Sequence, residues 1–507
     1  MTDLFIRFQE VIFAYDRATQ SLFNGLSVHF PPGWTGVVGA NGVGKSTLLK
    51  LATGLLKPQQ GQVMIPGLAI YCEQRTDNVP DRFSDLVDAA DGAALRIKDR
   101  LAIRNDWVER WSTLSHGERK RAQIAVALWR QPQALALDEP TNHLDEEARD
   151  LLFGALSAFR GVGILVSHDR KFLDDLCQQC LFVDPAETVL RPGNYSQSLQ
   201  QAKKDEMTAR RQHAQAQQDL ERLNQEAARR REAASQADRK RSKRGLARKD
   251  HDARAKINLA RVTGKDGVAG KRLSQLEGRL SRARVKVQSI KVKKTFTLGI
   301  WMPGSRSHRN TLFNIPGGSL SLGGNRRLEF PDLVMKPDDR IALTGPNGSG
   351  KSTLVGHIMR SLNLEQGRLT YIPQEIDLHA SRDILQRARA LPGEKLGHMM
   401  IIVSRLGSRP QRLLETEEPS PGEIRKILLA SGIANEPHLI VMDEPTNHLD
   451  LPSIECLEEA LADCPCGLLL VSHDRRFLDA LTNHRWDISE FEHERGRFVV
   501  KTGSSLS

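Results

Sequence analysis

The chain has 507 residues, with 73 lysines and arginines against 62 aspartates and glutamates, and six cysteines. That length exceeds what one hydrophobic core organises, so two or more domains are expected, and the net charge of +11 points to a polyanionic partner. Six thiols in so long a chain exclude a disulfide scaffold, and no apolar run reaches the roughly 18 to 20 residues that cross a bilayer, so no membrane insertion is expected.

In chain order, MTDLFIRFQE lacks the basic-then-apolar layout of a secretory signal, which predicts a cytoplasmic protein. An apolar strand, GVVGA, then runs into GANGVGKSTL at 39–48 and a segment, STLLKLATGLL, with the apolar spacing of a helix. Strand, glycine-rich turn and helix form a phosphate-binding loop. The glycines let backbone N–H groups turn inward at a helix N-terminus, where unpaired donors and the helix dipole favour an anion. Gly39, Asn41, Gly42, Gly44 and Thr47 shape that loop, Lys45 reaches the β and γ phosphates of ATP, and Ser46 is placed to bind Mg2+.

Farther on, Ser115-x-x-Glu118 is a capping box ahead of a helix. The strand ALALDEP ends in two carboxylates: Asp138 suits the metal side, and Glu139 is placed to polarise an attacking water as general base. The strand GILVSHD delivers His168, which can hydrogen-bond a γ-phosphate and the water. Cys177-x-x-Cys180 and Cys464-x-Cys466 have no histidine or cysteine partners at finger spacing, so reduced, partly buried thiols are expected there rather than zinc.

Between Gln201 and Lys294 the chain carries 28 basic and 11 acidic residues, a net of +17, which leaves the remainder at −6. Gln197 to Arg244 is rich in good helix formers. Its few apolar residues, Leu220 and Leu223 among them, and the clearer stripe Leu273, Leu276, Leu280 and Val287 predict an antiparallel helical hairpin with a thin seam. Gly245 or the loop 263–270 is expected at its tip. RKRSKR and ARK cluster toward that tip, and Arg239, Lys240, Arg241, Lys243, Arg244, Arg248 and Lys249 are the expected nucleic-acid contacts. No aromatic lies between Tyr195 and Phe296 for bases to stack on, so phosphate-directed binding is expected.

After the linker the first pattern returns. GPNGSGKSTL stands at 345–354, DEPTNHLD recurs at 138–145 and 443–450, and VSHDRKFLD at 166–174 becomes VSHDRRFLD at 471–479. The distance from Lys45 to Asp138 is 93 residues and from Lys351 to Asp443 is 92, so the domain is duplicated. The second set of candidates is therefore Gly345, Asn347, Gly348, Gly350, Lys351, Ser352 and Thr353 for phosphate, Asp443 for metal, and Glu444 and His473 for catalysis.

These residues resemble the ATP-binding cassette ATPases. LSHGERKRA at 114–122 is similar to that family's signature sequence, and Gln74 and Gln374 match its Q-loop glutamines, which the resemblance makes ATP and Mg2+ contacts. The resemblance also implies that the signature of one cassette covers the ATP held by the other, bringing Ser115 and Gly117 to Lys351, and Ser420 and Gly422 to Lys45. Two departures stand out. The second signature reads PSPGE, with Pro421 at a first helical turn where proline is tolerated, and Tyr15, at the family's adenine-stacking position, has Ser321 as its counterpart. Base binding is thus expected to be weaker in the second cassette, with hydrolysis at both sites.

Within that family the layout is similar to the ABC-F group: two cassettes in one chain, no membrane domain and a charged linker. The expected architecture is α/β, with two P-loop ATP-binding cassette domains (1–198 and 295–507) joined by a long basic α-helical hairpin (199–294) and pairing intramolecularly in a monomer. Group membership implies an ATPase that acts on the ribosome, its linker contacting rRNA and tRNA. Ser115 follows Gln74 by only 41 positions, which leaves little room for a large inserted arm. Ribosome protection against an antibiotic is a specialised form of this reading, a DNA-maintenance ATPase is the main rival, and a permease engine fits least.

Overall fold

The computed structural model describes residues 4–16, 21–142, 144–184, 187–241, 265–290, 305–365, 367–406, 420–447, 449–491 and 496–504. The chain divides into two compact units, one formed by Met1–Ser198 together with Phe296–Ser507 and the other by Leu199–Thr295.

In the first unit, two five-residue strands, Ala134–Asp138, apolar up to its final aspartate, and Val162–Val166, are buried at every position. A run of that kind has no solvent face and suits the middle of a parallel sheet covered on both sides. It lies there: the sheet order is Ala69–Cys72, Ala134–Asp138, Val162–Val166, Gly33–Val38, Gln179–Asp184, Glu187–Pro192. The second copy repeats the order as Leu369–Ile372, Leu439–Asp443, Gly467–Val471, Arg340–Thr344, His484–Glu490, Arg497–Ser504, and extends it through Arg326–Phe330 and Gly318–Gly323. In the first copy the corresponding β-layer is a separate antiparallel sheet of Phe23–Phe30, Ile6–Phe13 and Gln60–Met64. Leu48, Leu49 and Leu51 of the P-loop helix seal the first core, and Leu354, Val355 and Ile358 do the same in the second.

Register fixes the chemistry at the strand ends. Asp138 pairs with Val166 and Asp443 with Val471, so the residues that follow on adjacent strands, Glu139 beside His168 and Glu444 beside His473, emerge together at the carboxyl edge. Open α/β sheets bind ligands at that edge. Both glutamates have a left-handed backbone, φ 47° and 50°, a conformation costly for a residue with a Cβ and characteristic of functional turns. At the P-loops, Gly44 and Gly350 are the helix N-caps with φ 100° and 96°, and a Cβ on them would come within 2.7 Å of Leu22 and 2.6 Å of Leu322. Only glycine meets both demands.

The second unit contains the bulk of the helix Tyr195–Arg241, 47 residues, and the helix Lys265–Ser289, 25 residues. Inside it, Ala227, Leu276 and Leu280 are buried with Leu220 and Leu223 packed against them, the thin seam the sequence predicts. The first helix begins two residues earlier than expected and is described to Arg241. The stretch 263–270 is not a loop throughout, because the return helix already starts at Lys265. Gly245, Lys243, Arg244, Arg248 and Lys249 lie outside the described residues. Arg239, Lys240 and Arg241 fall on the last turn of the first helix.

Candidate functional site: two nucleotide sites shared between the cassettes

A cavity of about 640 Å³ opens beside the second P-loop. The second cassette contributes Asn347, Gly348, Gly350, Lys351, Ser352, Thr353, Gln374, Asp443, Glu444 and His473 to its wall, while Ser115, Gly117, Arg149 and His168 come from the first cassette. The structure therefore brings together the residues expected of the second site, including the signature from the opposite cassette.

The side chains around this cavity are mutually restrained. Lys351, buried, donates to the carbonyls of Gly345 (2.8 Å) and Pro346 (3.0 Å), with His473 Nε2 3.4 Å away. Those backbone acceptors hold the ammonium at the mouth of the anion-binding loop. Ser352 Oγ donates to Asp443 Oδ2 at 2.7 Å, and Gln374 lines the same cavity; a hydroxyl, a carboxylate and an amide carbonyl offer oxygen donors of the kind hard cations take. His473 Nε2 lies 3.1 Å from Asn347 Oδ1 and 3.5 Å from Glu444 Oε1. Burial pushes the Glu444 carboxyl up to about 7, against the pull of Lys351, and burial together with the charges of Lys351 and Arg149 pushes His473 down to about 3. Glu444 is thus near the point where a carboxylate is an effective proton acceptor at neutral pH.

The Lys45 site has a different set of contacts. Lys45 Nζ donates to Gly39 O (2.8 Å), Ala40 O (3.1 Å) and Asn41 Oδ1 (3.4 Å). The amide of Asn41 donates to Asp450 Oδ2 of the second cassette at 2.8 Å. Asp138 accepts from Tyr71 OH at 2.9 Å, and Ser46 and Gln74 are exposed. His168 Nε2 stands 3.0 Å from Glu139 Oε1. Burial alone would raise the Glu139 carboxyl, but His168 and Lys45 hold it below the usual carboxylate range. The two general-base candidates thus carry opposite shifts. Tyr15 OH is hydrogen-bonded to Thr47 Oγ1 at 2.9 Å, and its ring is half exposed.

Both signature helices, His116–Trp129 and Pro421–Ile433, begin with complete capping boxes at Ser115–Glu118 and Ser420–Glu423, and Pro421 is accommodated in the first turn. Pro419 lies outside the described residues. Gly117 lines the cavity, and Gly422 is buried beside its capped serine.

Several residues not singled out in the sequence join the site. Lys120, 1% exposed, donates to the carbonyls of Glu73 (2.6 Å) and Gln74 (3.1 Å), and its counterpart Arg425 donates to Gln374 O and, at 3.1 Å, to Glu444 O. Each signature helix is thereby tied to its own Q-loop. The matching basic residues in LSHGERK and PSPGEIR were a usable signal. Arg149 had none, because its counterpart is Ile454. It pairs with Asp169 at 2.8 Å and donates to the carbonyl of His473 across the junction at 3.3 Å. Nearby, Arg170 bridges to Glu458 (2.5 Å) and Asp474 (3.3 Å), and Tyr195 OH donates to Glu455 at 3.0 Å. All six cysteines are buried free thiols.

Two P-loop domains paired so that a capped helix of one faces the phosphate-loop lysine of the other define an ATP-binding cassette ATPase. The ABC transporter family model matches residues 23–142 and 328–447. The chain is 30% identical to the tylosin resistance ATP-binding protein TlrC of Streptomyces fradiae, over 90% of this chain and 92% of that one. It is 29% identical to the ribosome protection protein VmlR of Bacillus subtilis (94% and 85%) and 28% identical to the energy-dependent translational throttle protein EttA of Escherichia coli (92% and 89%). The archaeal ribosome recycling factor aABCE1, in complex with the stalk protein aP1, shares the fold with a TM-score of 0.61 at 18% identity, over 97% of this chain and 89% of that one. The chain belongs to the ABC-F family of ATP-binding cassette ATPases and hydrolyses ATP. Among the described residues no helix is long and apolar enough to cross a membrane.

Proposed function

We propose that the chain is a cytoplasmic, monomeric translation factor that closes its two cassettes on two ATPs and inserts its basic linker beside tRNA and rRNA on the ribosome. The observation that carries the ATP-driven part is the cavity in which Ser115 and Gly117 of one cassette face Lys351 of the other. Support for the ribosomal part comes from the names of the relatives: VmlR is a ribosome protection protein and EttA a translational throttle. The net charge of +17 in the linker fits a phosphate-rich target.

Boundaries near 198 and 294 separate first cassette, linker and second cassette. In each cassette the P-loop amides and lysine hold the β and γ phosphates. Ser46, Gln74 and Asp138 in one site, and Ser352, Gln374 and Asp443 in the other, hold Mg2+, which neutralises charge on the phosphates. Glu139 and Glu444 take the proton of the attacking water, and His168 and His473 hydrogen-bond the γ-phosphate; Tyr15 stacks on adenine in the first site. Closure requires both phosphates, so hydrolysis at these sites releases the junction.

Cosedimentation of the Glu139→Gln/Glu444→Gln protein with ribosomes tests this reading. ATP-dependent appearance in the ribosomal fraction, lost on neutralising residues 239–249, supports it. Retention at the top of the gradient together with binding of naked DNA defeats it. A second reading, protection against a ribosome-directed antibiotic, is favoured by the similarity to TlrC and VmlR, and drug sensitivity of a strain lacking the gene tests it.

A further inference from the structure

The second nucleotide site lacks an aromatic where the first has Tyr15: the matching residue is Ser321. The wall of the second cavity beside the P-loop is made instead by Leu322 and Arg326. Arg326 opens the strand Arg326–Phe330, which is anchored along its edge by Arg327 N donating to Gly496 O at 2.9 Å and by Leu328 pairing with Phe498. Its guanidinium carbon lies 5.8 Å from the centre of the Phe498 ring, which is itself buried. An Nη2 hydrogen bond to the carbonyl of Gly348 ties the same group to the P-loop. Gly348 leaves room for that approach, since a Cβ there would stand 3.1 Å from Nη2. Arg326 is thus pinned at the P-loop with an aromatic ring beneath it.

A guanidinium is planar, delocalised and weakly hydrated, so it stacks on aromatic faces as a ring does, and bases stack on arginine planes in nucleic-acid complexes. Lysine carries the same charge without a plane. We propose that Arg326, backed by Phe498, replaces the missing aromatic and stacks on the base of the nucleotide bound at Lys351. The inference rests on the reading that ATP occupies this cavity. It reverses the expectation from sequence that the second site holds its base weakly.

The test is calorimetric binding to the full-length chain carrying Lys45→Ala, so that the second site dominates. Arg326→Ala should weaken ATP binding about tenfold, the scale of one lost base stack, and Arg326→Lys should weaken it similarly, while Arg326→Tyr restores it. Inorganic triphosphate, which has no base, should bind all four proteins within about twofold, and that result also shows that the site is folded. If Arg326→Lys binds ATP like the parent, or if triphosphate weakens as much as ATP in Arg326→Ala, the side chain acts as a charge and the stacking proposal falls. Lys351→Ala separates the two levels of the argument: ATP binding indifferent to Lys351 overturns the assignment of the cavity. Loss of binding in Lys351→Ala with no effect of any Arg326 variant overturns only the stack.

Discussion

Glu139→Gln removes the proposed general base of one site and leaves turnover to the other, whose proposed base is Glu444. Burial raises that carboxyl to about 7, so it is about one tenth ionised at pH 6 and nine tenths at pH 8. Because kcat/KM reports ionisations of the free enzyme, ATP hydrolysis by Glu139→Gln should rise about tenfold across that interval. The mirror variant, Glu444→Gln, depends on Glu139, whose carboxyl His168 and Lys45 hold below its ordinary range. Its base is ionised throughout, so Glu139 contributes no rise between pH 6 and 8. The assay is steady-state phosphate release at limiting ATP, with ionic strength held constant. Identical pH profiles for the two variants would refute the argument that burial without a close ion pair sets Glu444 apart.

The capping boxes give a second prediction: Ser115→Ala and Ser420→Ala should each cost about 1 kcal/mol in denaturant unfolding, and Ser115→Ala should slow the Lys351 site selectively, read in the Glu139→Gln background. Arg149→Ile removes the tie between the first cassette and the His473 carbonyl, and should lower kcat in that same background with little change in KM; an effect confined to KM would contradict it. Neutralising Arg239, Lys240 and Arg241 together should reduce the salt dependence of ribosome binding by about three units of slope if each meets one phosphate; an unchanged slope would remove these residues from the interface. Leu276→Ala opens the buried seam of the hairpin and should speed amide exchange there while leaving ATP turnover unchanged.

Much of the site was legible because its parts are local. A P-loop is ten consecutive residues, and the paired strands that carry Asp138 and His168 are apolar runs ending in polar residues, so their edge position follows from pattern alone. The duplication added spacing as a second check on Lys351, Asp443 and His473. What escaped the sequence was long-range. Asp450 reaches the Asn41 amide 409 positions away, and Arg149 reaches His473 across 324; Asn41, Asp450 and His473 each stand in a repeated motif, but no local pattern marks Arg149 or says that these contacts form. The opposite shifts of Glu139 and Glu444 were equally hidden, since the two motifs are identical and the difference lies in their surroundings: the histidine stands 3.0 Å from Glu139 and 3.5 Å from Glu444, and Asp443 further raises Glu444. The hairpin was readable from its thin leucine stripe; of the two tips the sequence offers, Gly245 lies outside the described residues, and most of 263–270 belongs to the return helix, which runs from Lys265.

The most direct measurement places a photoreactive side chain at position 240 of the Glu139→Gln/Glu444→Gln protein and irradiates it with ribosomes, with ATP and without. An ATP-dependent cross-link to tRNA or rRNA is expected, and it should disappear when Lys45 and Lys351 are both replaced by alanine. Cross-links that form equally without ATP, or only to ribosomal proteins, would contradict an ATP-gated linker that meets RNA.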